Sequence, residues 1–180
     1  MGKNNENRDY RIQGVILERV TQEKDLGVVI DMGGKQAEQC QAAIGKANLV
    51  FGFIRRGIIY ISKEVVLTLY RNLVRPHLEY CVQFWSPRFR KDIDATERVQ
   101  RRATRLIPGL ARLSYEERLK ETELYTLERR WLRGDMIEMF KIMKGVDKIS
   151  EDELFNRVDS DRTRGHSLRV KKRRVKTVAR

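Results

Sequence analysis

Lys91-Asp92-Ile93-Asp94-Ala95-Thr96-Glu97-Arg98-Val99-Gln100-Arg101-Arg102-Ala103-Thr104-Arg105-Leu106-Ile107 is the most regular stretch of the chain. Thr96, Val99, Ala103 and Leu106 recur three and four residues apart, the period that lines up one face of an α-helix. Arg98, Arg101, Arg102 and Arg105 recur at matching spacing on the opposite face. Asp92 and Asp94 stand in the first turn, where a carboxylate opposes the positive end of the helix dipole. Pro108-Gly109 ends the run.

The same period extends outward. Over residues 35–56, Ala37, Cys40, Ile44, Ala47, Phe51 and Ile54 draw one apolar stripe, and Gly57 stands where a helix end accepts positive φ. Ser62 is placed to cap the next helix, with Glu64 in its first turn and Val66, Leu69 and Leu73 on its inner face. Pro76 lacks an N–H and is expected to kink or stop that helix after Val74, leaving residues 77–85 for another short one. Ser114-Tyr115-Glu116-Glu117 has the reciprocal pattern of a capping box. Thr126 is expected to cap the last long helix, whose buried stripe reads Leu132, Met136, Met139, Phe140 and Met143, with Gly145 at its end. Leu69 and Leu132 are expected in the core.

Toward the N-terminus the period shortens. Tyr10, Ile12 and residues 14–17 read as one strand, residues 26–30 as a second and more buried one, and Thr21-Gln22-Glu23-Lys24-Asp25 as the polar link between them. The expected fold is therefore mainly α: a helical bundle with a small N-terminal β-hairpin and a basic C-terminal tail. Its divisions are a disordered N-terminus over 1–9, the hairpin over 10–34, a helical domain over 35–159 and the tail over 160–180. That tail is expected to stay disordered without a partner, because its charges repel one another and it has little to bury.

Composition narrows the function. The chain has 180 residues, with 38 Lys and Arg against 25 Asp and Glu, for a formal charge of +13. Such a charge favours polyanions through long-range attraction and counterion release. The basic residues are not interleaved with an apolar membrane-facing surface, and no run approaches a membrane span, so no membrane partner is expected. Cys40 and Cys81 make no disulfide framework, and the polar start resembles no secretory signal. An intracellular place, nucleus or cytoplasm, is expected over secretion.

No constellation for catalysis stands out. A four-ligand metal site would need both cysteines together with His77 and His166, and is rejected. Asp92 and Asp94 point different ways on a helix, and Glu116-Glu117 serves a cap. No phosphate-cradling glycine loop or nucleophile elbow appears, and no small-molecule substrate is implied. The arginines allow two readings. One is a solvated face laced with ion pairs, here Asp94 with Arg98 and Glu97 with Arg101. The other is a nucleic-acid contact in which Arg102 and Arg105, without such partners, matter most. Arg129, Arg130 and Arg133 repeat the pattern on the last helix, and Lys171, Lys172, Arg173 and Arg174 extend it into the tail. Tyr80, Phe84, Trp85 and Trp131 could stack bases, although core packing is the stronger expectation for Phe84 and Trp131.

Several blocks resemble non-LTR retrotransposon reverse transcriptases of the jockey and chicken-repeat clades. Lys24-Asp25-Leu26-Gly27-Val28 is similar to the "LGV" block that follows the catalytic palm. Leu69-Tyr70-Arg71-Asn72-Leu73-Val74-Arg75-Pro76-His77-Leu78-Glu79-Tyr80-Cys81 strongly resembles the "LVRPxLEYC" signature, and Trp85-Ser86-Pro87 its "WxP" continuation. Glu97-Arg98-Val99-Gln100-Arg101-Arg102-Ala103-Thr104-Arg105 is similar to an "EkVQRRATR" helix. Leu127-Glu128-Arg129-Arg130 and Arg133-Gly134-Asp135-Met136 resemble "LerRRlRGDmie", and Thr163-Arg164-Gly165-His166 a "TRGH" element. The blocks occur in order from about Tyr10 onward.

What the resemblance implies is a thumb-side piece of an RNA-directed DNA polymerase, gripping template–primer duplex and element RNA. Leu26, Gly27 and Val28 would correspond to the primer grip. The partners would be RNA, an RNA–DNA hybrid and the rest of a reverse transcriptase. The family's palm motif, with its aspartate pair, is absent from this segment, as are the fingers and the endonuclease. The chain alone is therefore expected to be inactive and to bind no cofactor, while the parent enzyme would use magnesium. Two alternatives remain: a basic helical adaptor derived from a decayed retroelement, and a relic without function.

Overall fold

Two antiparallel hairpins open the chain in the computed structural model, which describes residues 9–34, 36–147, 149, 154–156 and 170–171. The first joins β1 (Arg11–Ile12) to β2 (Val15–Ile16), and the second joins β3 (Gln22–Asp25) to β4 (Val28–Asp31) with Asp25 opposite Val28. The expected single hairpin is thus corrected: the polar link of the sequence reading is itself strand β3. Its residues are exposed throughout, so no alternation of apolar side chains announces it. Backbone pairing across a tight turn defines it instead. Leu26 and Gly27 both take positive φ, 45° and 85°, the geometry whose twist suits a two-residue hairpin turn. On β4, Val28 is buried, and Gln39 Oε1 accepts the Val29 N–H at 2.8 Å, which ties the hairpin to the first helix.

The helices that follow form most of the described structure. Helix α1 (Ala37–Gly57) buries Cys40, Ala43, Ala47 and Phe51. Gly57 stays within it, and the helix ends on the extended Ile58, whose N–H reaches Ile54 O at 3.0 Å. Burial in the apolar interior pushes the Cys40 thiol up to about 11. Ser62 caps α2 (Lys63–Leu69) by accepting the Val65 N–H at 3.2 Å.

Beyond Leu69 the backbone widens into a π-helical turn, Tyr70–Val74, before α3 (Arg75–Glu79). Pro76 therefore falls in the first turn of α3, where a missing N–H costs no helical hydrogen bond. The inner face also differs from the expected one. Tyr70, Val74 and Leu78 are buried, whereas Leu73, expected inside, is exposed and Leu69 is only half-buried. A short α4 (Val82–Trp85) follows the left-handed Cys81, which is exposed rather than packed in a core.

Helix α5 (Arg90–Arg105) has the predicted phase: Thr96, Val99 and Ala103 are buried, and Arg98, Arg101, Arg102 and Arg105 are exposed. A complete capping box on Ser114 and Glu117 starts α6 (Tyr115–Thr122), and Thr126 Oγ1 accepts the Arg129 N–H at 3.3 Å to start α7 (Leu127–Met143). Trp85 and Trp131 meet edge to face, 6.4 Å between centroids. Each indole N–H finds a carbonyl, Tyr80 O at 2.7 Å and Leu78 O at 3.2 Å, as buried tryptophans require.

The chain divides into two units, 1–132 and 133–180, and the division falls within α7. The stripe expected to be buried on this helix is corrected. Leu132, Met136 and Phe140 are exposed, while Leu127 and Trp131 are buried at its start and Ile142 and Met143 near its end. The large Trp131 ring, four residues after Leu127, sets which side faces the core there. The N-terminal residues before Asp9 and the tail beyond Asn156, apart from Val170 and Lys171, lie outside the described residues, and with them most of the disorder expected for both ends.

Candidate nucleic-acid interface

The exposed face of α5 borders a groove of about 470 Å³. Arg98, Arg101, Arg102 and Arg105 line one wall with Ala95, and Gln41, Ile44 and Asn48 of α1 line the other. The helical period brings the arginines to one side. The pairing of α1 with α5 comes from burial of Ala43 and Ala47 on one helix and Thr96, Val99 and Ala103 on the other.

The ion pairs expected to neutralise half of this row are not formed. Asp94 pairs with Arg90 at 3.4 Å instead of with Arg98. Glu97 is buried and forms no ion pair with Arg101, and three donors converge on its carboxylate. Tyr115 Oη and Gln100 Nε2 donate to Oε1, and the Leu127 N–H donates to Oε2 at 2.9 Å. Burial raises the Glu97 carboxyl above the ordinary glutamate range, opposed by these hydrogen bonds and by the nearby Arg101 charge. Gln100 extends the network, accepting from Tyr70 Oη at 2.7 Å and donating to Tyr115 Oη and Tyr125 O.

Neutral groups hold two of the arginines. Arg102 donates to Asn48 Oδ1 across the groove. Arg101 lies over the Tyr115 ring, 4.8 Å from its centroid, a cation–π contact that leaves the charge in place. Among the described residues no carboxylate lies within ion-pair distance of any of the four. The row therefore has no ion-paired counter-charge among the described residues, and the expected ranking of Arg102 and Arg105 over Arg98 and Arg101 loses its basis.

The other predicted residues divide. Arg129 is exposed and stacks over Tyr125 at 4.8 Å. Arg130 is committed to Glu79, which it grips with Nε and Nη2, so it braces α7 against α3. That pairing raises the Arg130 guanidinium further. Arg133 is exposed, in the second unit. Lys171 is exposed and its N–H reaches Asn156 O at 2.7 Å, whereas Lys172, Arg173 and Arg174 lie outside the described residues. Trp85 and Trp131 are buried and unavailable for stacking, while Phe84, expected in the core, is exposed.

At the hairpin tip, Leu26 is exposed and Tyr80 Oη donates to its carbonyl at 2.8 Å, which fixes the Leu26-Gly27 turn over the end of α3. Val28 is a core residue. Sequence reasoning missed Gln41 and Asn48, since nothing local marks them as the wall opposite the arginines. Among the described residues no cluster of His, Cys, Asp and Glu could hold a metal ion, and no helix is long and apolar enough to cross a membrane. Comparison with protein-family models, curated proteins and solved structures finds no match.

Proposed function

We propose that this chain binds template–primer duplex and RNA as the thumb-side part of a retrotransposon RNA-directed DNA polymerase. Polymerase chemistry, with its aspartate pair and magnesium, would come from outside these 180 residues. The observation that carries the reading is the carboxylate-free arginine row facing an open groove. A surface face of ordinary solvation has its charges interleaved with opposite ones. Here the available acids are spent elsewhere, Asp94 on Arg90 and Glu97 on the interior. The ordered blocks that resemble reverse transcriptases give the row its polyanion.

Fluorescence anisotropy with a labelled RNA–DNA hybrid at several salt concentrations tests this. The Arg98→Ala, Arg105→Ala double variant should bind more weakly, and each phosphate that the variant no longer neutralises should flatten the log–log salt slope by about 0.9 on a B-form duplex and less on a single strand. Both side chains are exposed, so folding is not at issue. Unchanged affinity and slope would remove the helix face from the interface. The adaptor alternative has one observation on its side, the exposed Leu132, Met136, Ile137 and Phe140 of α7. Association that persists at high salt would favour it.

A further inference from the structure

The two walls of the groove differ in chemistry. The α5 wall carries four arginines, and the α1 wall offers the neutral amides of Gln41 and Asn48 with the apolar Ile44 between them. Resting on the nucleic-acid reading above, we infer that the groove takes the backbone of one RNA strand of a duplex. Its phosphates lie against the arginines, and its ribose 2′-hydroxyls lie against Gln41 and Asn48.

Three features carry this. First, among the described residues no aromatic side chain lines the groove. Sites that take unpaired strands supply rings on which bases stack. A groove without them receives sugar and phosphate, with the bases turned outward and free to stay paired. Such contacts position a strand without reading its sequence.

Second, the walls match in pitch. Gln41 and Asn48 are two turns apart on α1, and Arg98 and Arg105 two turns apart on α5, so each wall spans about 10 Å along its helix. The Arg102–Asn48 hydrogen bond fixes the register between them. Asn48 therefore positions a phosphate-binding arginine with its oxygen and keeps its NH₂ for the strand.

Third, the chemistry of a 2′-hydroxyl is that of both donor and acceptor. An amide offers both in one group, and an arginine offers donors only. The Gln41 side chain is exposed and has no hydrogen-bond partner among the described residues, so both halves of its amide are available. Facing phosphates, a neutral amide bonds DNA and RNA alike. Facing the sugar edge, it distinguishes RNA from DNA.

The test compares the full chain on two duplexes of one sequence, an RNA–DNA hybrid and a DNA–DNA duplex, by anisotropy. Wild type should favour the hybrid by roughly three- to tenfold, the size of a net hydrogen bond or two. Gln41→Ala, on the exposed side of α1, should reduce that preference by lowering hybrid affinity and leaving DNA affinity unchanged. A hybrid carrying 2′-O-methyl groups should bind wild type like DNA. Equal loss on both duplexes, or no loss on either, would overturn the sugar contact. If Arg98→Ala, Arg105→Ala leaves both affinities unchanged, the groove is not the nucleic-acid site at all, and the broader reading fails with it. Competition by polyglutamate as effective as that by hybrid would assign the groove to an acidic peptide and refute the inference.

Discussion

Helices α5 and α7 make an instructive pair. Helix α5 is strongly hydrophilic, yet its inner face is closed off completely, with Thr96, Val99, Gln100, Ala103 and Thr104 all buried. Helix α7 carries the longer list of large apolar residues, and several of them face outward. The difference lies in partners. On α5 the inner polar groups meet fixed donors and acceptors, so burying them leaves nothing unpaired. On α7 one large ring, Trp131, decides which side the first turns bury, and Leu132 is turned out by its neighbour's fit. Periodicity identifies faces; it does not say which of two apolar faces is chosen.

That contrast can be broken in three places. Trp131→Ala should have the largest effect, about 3–5 kcal/mol of stability, because it empties a packed site against Trp85 and frees the Leu78 carbonyl. Urea unfolding followed by circular dichroism measures it, and a loss near zero would mean that α7 is not anchored by this ring.

Glu97→Gln should come next, at about 1–3 kcal/mol, since one of the three converging donors then faces an NH₂ group. The pH dependence has a definite sign. The folded state raises the Glu97 pKa, so it holds the proton more tightly than the unfolded chain does. The favourable contribution is complete below the unfolded value and is lost as pH rises from there through the higher folded value. The Gln variant should lack that downward slope. Stability rising through the same window in wild type, and not in the variant, would contradict the placement of this carboxylate.

Leu132→Ala should have the smallest effect, within about 0.5 kcal/mol, because the side chain is 61% exposed. A cost of about 2 kcal/mol or more, the range of a buried leucine, would restore Leu132 to a buried stripe and remove the contrast between the two helices.

What the sequence made legible was local. Ser62, Ser114 and Thr126 cap within three residues of themselves, and each cap is found. The arginine row follows from a single helix's period. Long-range features stayed hidden. Spacing pairs Glu97 with Arg101, but two of its three donors, Tyr115 and Leu127, lie 18 and 30 residues away. Gln41 and Asn48 belong to the groove only because α1 packs on α5. Strand β3 is polar along its whole length, so no hydrophobic alternation could reveal it. Tyr70 and Val74 are buried where Leu69 and Leu73 are expected, a choice between two apolar faces that spacing alone leaves open.

That wide turn, Tyr70–Val74, bears on how the chain tolerates changes in length. A π-turn holds one residue more than an α-turn, so this helix already stores an insertion without spending a loop on it. Deleting a single residue there would let an ordinary α-turn close. Everything beyond would then rotate by about 100° around the helix axis. Leu78 would swing out of the core, and Glu79 would leave Arg130. The segment is thus a one-residue length standard. Insertions and deletions that a surface loop would absorb are read here as a change of direction for α3.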